Sequence, residues 1–168
     1  MKFNKTIFLK IFNFSNWLYL FIGVIPSTSG INLNLKQEMN DISEISYYNA
    51  ARFEILGKMS ETKTYNRLPE AAKSSVRNSV WSLSKNTAGL AIRFTSNSSI
   101  IKVRWTLKNN RVKGNMTPIA SSGLDLYAYT QNRWQFVGVA IPGKENVNEA
   151  TVIANMTKEN REYLLNLP

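Results

Sequence analysis

The sequence predicts an all-β domain, an antiparallel two-sheet sandwich of jelly-roll type, and three observations carry that reading. Short runs alternate apolar with polar residues at a period of two, polar turns separate them at regular intervals, and helical periodicity is scarce. The 168 residues suffice for one ordinary domain with a real core and are too few for two full-sized ones. At 43% hydrophobic and 19% charged residues, the composition is that of a globular chain.

The first thirty residues differ from the rest. "MKFNKTIFLKIFNFSN" carries Lys2, Lys5 and Lys10 without an acid, Trp17 to Ile25 is an unbroken apolar run, and "PSTSG" supplies a breaker and small residues. That order predicts a signal peptide over residues 1–29, cleaved near Ser29 or Gly30, and so a secreted or periplasmic protein. The competing reading is an uncleaved anchor from Ile7 to Ile25, although Lys10, Asn13, Ser15 and Asn16 interrupt it. Contact with a membrane is expected only through that segment, if uncleaved. Cleavage leaves 18 basic residues against 11 acids, a charge of +7. The basic residues are scattered with no dense run, which argues against a nucleic-acid partner.

Residues 30–50 read as a polar leader, either loose or with one short helix from Asp41, and the sandwich is expected over residues 51–168. "RFEILGK" is extended, with Phe53, Ile55 and Gly57 on one side; Pro69 then blocks the middle of any sheet. Ala71 to Asn78 reads as a turn of helix or an irregular crossing, and "VWSLS" from Val80 restarts the extended pattern. Leu90, Ile92 and Phe94 alternate with Ala91, Arg93 and Thr95; after "SNSS", Ile101, Val103, Trp105 and Leu107 alternate with Lys102, Arg104, Thr106 and Lys108. This predicts a hairpin with one wet face. "KNNRVKGNMTPIASS" is a long loop into "SGLDLYAY". Across "TQN", "RWQFVGVAI" pairs back as a second hairpin with Trp134, Phe136 and Gly138 on one face. The tail offers a short strand, a polar turn and a last strand from Glu162 to Leu167.

Chemistry is bounded by what is missing. With no cysteine there can be no disulfide, thiolate zinc site or cysteine nucleophile, and with no histidine the commonest general base and metal ligand are gone. A serine triad cannot be assembled from this chain. "SETK", Ser60 to Lys63, has serine–lysine spacing but loop-like neighbours, a match that chance supplies in most chains. The 11 acids carry no glycosidase motif and the glycines form no phosphate loop. No cofactor and no metal site is expected, and the polypeptide is not a complete enzyme.

"VWSLSKNTAGLAIRFTSNSSIIKVRWTL", "NM", "SGLDLYAYTQNRWQFVG" and "REYLLNLP" together resemble the N-terminal domain of a family of SGNH, or GDSL-type, esterases and acylhydrolases, known for its GxDLY motif. Gly123, Asp125, Leu126 and Tyr127 fit the motif, and the likeness runs from about Phe53 to Pro168. It implies a β-sandwich packed against a flavodoxin-like hydrolase domain that carries the nucleophilic serine, the oxyanion hole, and the aspartate and histidine. That domain, the implied partner, is missing from these 168 residues, as though the chain were truncated before it. No catalytic residue carries over to any position here. In the loop before the motif, Thr117, Pro118 and Ile119 stand where the family often has a histidine.

On a strand, Leu124, Leu126 and Ala128 point one way while Asp125, Tyr127 and Tyr129 point the other. A part-buried carboxylate needs a partner, and Arg93 and Arg104 on neighbouring wet faces are the first choices. Gly123, Asp125, Leu126 and Tyr127 are either an internal pin or part of a docking surface for the hydrolase domain. Trp105 and Trp134 are expected in the core, and Tyr127 and Tyr129 are the candidates for a ligand platform. Two functions remain: a noncatalytic accessory domain of an exported carbohydrate or acyl esterase, or a freestanding module for polysaccharide of the cell envelope.

Overall fold

A computed structural model describes residues 47–62, 65–108 and 114–168 with side chains, and Ile7–Ile11 through its backbone. Among these residues, nine strands form two antiparallel sheets: β1 (Ile7–Ile11), β2 (Tyr47–Asn49), β3 (Glu54–Leu56), β4 (Ala91–Ser96), β5 (Ile101–Thr106), β6 (Leu124–Thr130), β7 (Arg133–Ala140), β8 (Val147–Ile153) and β9 (Arg161–Asn166). The four-stranded sheet runs β2-β1-β5-β8 and the five-stranded sheet runs β3-β4-β9-β6-β7. The all-β, two-sheet prediction therefore holds.

The core lies between the sheets. Ile101, Val103 and Trp105 of β5 and Val152 of β8 meet Ile92 and Phe94 of β4, Leu124, Leu126 and Ala128 of β6, and Tyr163 and Leu165 of β9. β4, β5, β6 and β9 alternate buried with more exposed positions over most of their length, as a sheet with one wet face requires. Phe94 and Tyr163 stack at 5.3 Å across the β4–β9 pairing. At one edge of the sandwich β7 runs against β8, so closely that a Cβ on Gly138 would stand 2.4 Å from the Val152 carbonyl oxygen.

Three local expectations are corrected. Ala91–Ser96 and Ile101–Thr106 alternate as predicted but are not a hairpin, because β4 pairs with β3 and β9 while β5 pairs with β1 and β8. Buried Ser98 turns the chain from one sheet to the other: its Oγ donates to the Ile100 carbonyl at 2.7 Å and its N–H to Ser96 Oγ at 3.0 Å. "VWSLS" is helical, not extended: α1 spans Asn78–Leu83, with the Ser84 N–H donating to the Val80 carbonyl at 2.9 Å. Its β-prone composition yields to a period in which Trp81 and Ser84 face inward while Val80 and Leu83 are exposed. The long loop also contains a short helix, α2 (Pro118–Ser122).

The β6–β7 hairpin forms as expected. Its two-residue turn, Gln131 and Asn132, has φ of 52° and 60°, the left-handed pair that matches strand twist. Most of the expected signal peptide, and most of the polar leader with its helix from Asp41, lies outside the described residues. Of the former, Ile7–Ile11 pairs as β1 between β2 and β5; of the latter, Tyr47–Asn49 is β2.

Candidate functional site

The GxDLY stretch begins at a helix end. Thr117 Oγ1 caps α2 by accepting from the Ala120 N–H at 3.3 Å, and Pro118 follows at the first helical position, where its missing N–H is harmless. These are the residues standing where the resemblance implies a histidine, and here they start a helix. Gly123 ends it at an ordinary φ of −83°; what demands glycine is space, since a Cβ would lie 2.6 Å from the Ile119 oxygen and 3.0 Å from that of Ala140. Trp105, buried as expected, fastens this corner by donating from Nε1 to the Ser122 carbonyl at 3.0 Å.

From Gly123 onward the motif divides between two faces. Leu126 is wholly buried, whereas Asp125 and Tyr127 are half-buried on the outer face of the five-stranded sheet. Asp125 Oδ2 accepts from Asn166 Nδ2 at 3.0 Å, its partner across the β6–β9 pairing. Neither arginine expected there takes that place. Arg93, on β4, binds Glu162 and approaches Glu54 at 3.8 Å. Arg104 is on the other sheet, where Nε and Nη2 reach Glu149 Oε2 at 2.9 and 2.6 Å. It lies 4.4 Å from the centre of the Tyr47 ring. Hydrogen bonds from Tyr47 and Arg104 hold the Glu149 carboxyl below its ordinary range.

The aromatic residues match expectation only in part. Tyr127 meets Phe136 edge-on at 5.8 Å, and Tyr129 meets Trp134 at 5.3 Å, both across the hairpin. Trp134 is not a core residue. It is 39% exposed, Phe136 is 59% and Tyr129 is 41%. The cause is a bulge: β7 pairs Gly138 with Leu126 but Phe136 with Tyr127, so the extra residue, Val137, inverts the alternation. Gly138 faces the core while Phe136 and Trp134 face outward with the two tyrosines. A signal was present, because a two-residue turn at Gln131 and Asn132 sets Tyr129 opposite Trp134 by counting. Asn166 was legible only as part of "REYLLNLP".

The outer face of the five-stranded sheet thus has two characters. On β6 and β7, with Leu164 of β9 paired to Tyr127, it is mainly aromatic, Asp125 being its charged group and tied to Asn166; on β3, β4 and the start of β9 it is an ion-paired group of Glu54, Arg93 and Glu162. Among the described residues no group of three acids could hold a metal ion, and no helix is long and apolar enough to cross a membrane.

The GxDLY family, described as the N-terminus of SGNH hydro-type esterases, matches residues 45–168. The chain belongs to this family. The GxDLY domain is also similar to a crystal structure from Bacteroides ovatus ATCC 8483 described as a GDSL-like lipase, with 39% identity and a TM-score of 0.69. The match covers 73% of this chain and 36% of that one, so the GxDLY domain spans about a third of that protein's length. No curated protein matches the chain closely enough to count.

Proposed function

We propose that this is a noncatalytic accessory domain of an exported SGNH-type esterase or acylhydrolase, and that the bond-breaking groups lie outside these 168 residues. The observation that carries the reading is the GxDLY match over residues 45–168 in a chain with no histidine. Without an imidazole, a serine here has no ordinary base to take its proton. The functional motif is spent on architecture: Gly123 and Leu126 fix the strand, and Asp125 is tied to Asn166. Export is supported by the basic start and the apolar run from Trp17 to Ile25.

The test is direct. The purified chain, incubated with a short-chain aryl ester, should release no phenolate above the buffer rate; measurable turnover that survives repurification would sink the reading. Reading the gene beyond the Pro168 codon should show an in-frame "GDS" segment and, much later, a D-x-x-H. The second reading, a polysaccharide module, draws on the exposed Tyr129 and Trp134 and predicts retardation of the chain in polysaccharide gels.

A further inference from the structure

We infer that the aromatic half of the outer sheet face, formed by Tyr127, Tyr129, Trp134 and Phe136 with Leu164, is the surface on which the hydrolase domain docks. This rests on the accessory-domain reading and adds to it a location and a chemistry. Three observations select this face and this occupant.

The first is its apolar extent. Three of these rings are more than a third exposed. At about 200 Å² per aromatic side chain, they leave on the order of 300 Å² of contiguous apolar surface with Tyr127 and Leu164. Interfaces between domains of one chain bury roughly 300–750 Å² on each side, so the patch has the size of an interface centre.

The second is ring geometry. Sugar platforms present flat faces side by side, whereas here the pairs meet at 74° and 62°. Edge-on pairs make a ridged surface, suited to interdigitating protein side chains and poorly suited to a flat pyranose. The charges beside it on β3, β4 and β9 are already paired with one another, so the neighbouring surface does not call for a charged polymer.

The third is position. The family is the N-terminus of its esterases, and in the Bacteroides ovatus protein nearly two thirds of the chain lies outside the match. A domain that follows this one leaves from the end of β9. Asn166 is paired with Asp125, and Leu164 with Tyr127, two residues back along the same strand. At 3.4 Å per residue the end of β9 is therefore about 7 Å from the row of Tyr127 and Phe136 and about 14 Å from that of Tyr129 and Trp134, which lies opposite Glu162. A following domain reaches this face without a long linker.

The experiment uses a hybrid in which residues 45–168 replace the matched part of the Bacteroides ovatus protein, beside the 168-residue chain itself. The double variant Trp134→Ser, Phe136→Ser should lower the hybrid's melting temperature by roughly 5 °C or more and its aryl-ester turnover severalfold. In the chain alone the same pair should cost only the two cross-hairpin ring contacts, a melting shift clearly smaller than the hybrid's. A control pair on the other sheet, Lys102→Ser with Thr106→Ser, should be silent in both. Equal shifts in hybrid and chain would mean that the rings only stabilise the sandwich. No shift in either, or a shift from the control pair alone, would place the interface elsewhere. If the hybrid does not fold, serines at the positions aligned with Trp134 and Phe136 in the full Bacteroides ovatus protein give the same comparison. Polysaccharide retardation abolished by Trp134→Ser, or a dimer of the chain broken by the double variant, would assign the face to another occupant. Ester turnover by the chain alone would overturn the accessory reading itself, while inertness with silent face variants would overturn only the docking face.

Discussion

Asn166 Nδ2 donates to Asp125 Oδ2 at 3.0 Å, joining the last strand of the domain to the centre of its signature motif across 41 positions of sequence. The bond explains an acid on a strand whose other face is core. Amide and carboxylate sit directly opposite one another on neighbouring strands, so the carboxylate is satisfied without an arginine.

Replacing Asn166 by aspartate sets two carboxylates against each other. Repulsion raises the folded-state pKa of at least one of them above its unfolded value. A raised folded pKa favours the native state where the group is protonated, so the penalty is present at neutral pH and fades as pH falls towards about 4. We expect a loss of about 1 kcal/mol or more at pH 7 in urea unfolding, much reduced at pH 4. The same loss at both pH values would mean the two side chains do not meet.

Gly138 tests the closure of the sandwich. A methyl group there meets the Val152 carbonyl at 2.4 Å, a backbone atom that cannot swing aside. Gly138→Ala is expected to cost about 2–3 kcal/mol. Gly114, with nothing within 4 Å of its would-be Cβ, serves as the control and should tolerate alanine without loss. Equal melting temperatures for the two variants would contradict the close approach of β7 to β8.

Tyr65 carries a buried hydroxyl with no hydrogen-bond partner among the described residues, and burial pushes its pKa up to about 12. Because the folded value lies above the ordinary 10.0, the native state binds this proton more tightly. Stability from this group is complete below pH 10 and is lost as pH rises from 10 through 12. Tyr65→Phe should therefore unfold less readily than the parent between pH 10 and 12. At about pH 7 it should equal or exceed the parent's stability, since no bond is removed. A neutral-pH loss above about 1 kcal/mol would show that the hydroxyl is bonded.

Ile7–Ile11 belongs to the expected signal peptide and also lies as β1 between β2 and β5. A chain beginning at residue 30 would leave the β5 edge open and Tyr47–Asn49 without its neighbour. We expect that shorter chain to melt roughly 5–10 °C lower and to associate through the open edge, read by calorimetry and sedimentation, with the mass of exported protein reporting cleavage. Identical melting of the two lengths would show that β1 contributes nothing to the folded domain.

Much of the fold was legible because a strand's period of two is written locally. Leu124, Leu126 and Ala128, and likewise Ile101, Val103 and Trp105, declare their inward face without reference to anything else in the chain. The lack of histidine and cysteine likewise limited the chemistry through composition alone, and "GLDLY" named the family. What the sequence could not carry was pairing between distant strands and the phase shifts within them. Asn166, rather than Arg93 or Arg104, became the partner of Asp125 because β9 inserts between β4 and β6 and Arg104 lies in the other sheet, a matter of strand order. One extra residue at Val137 turned Trp134 and Phe136 from expected core to exposed surface, because a bulge inverts every side chain beyond it. Local periodicity determines which residues can share a face. Only the assembled sheets decide which face meets the core and which is left to meet a partner.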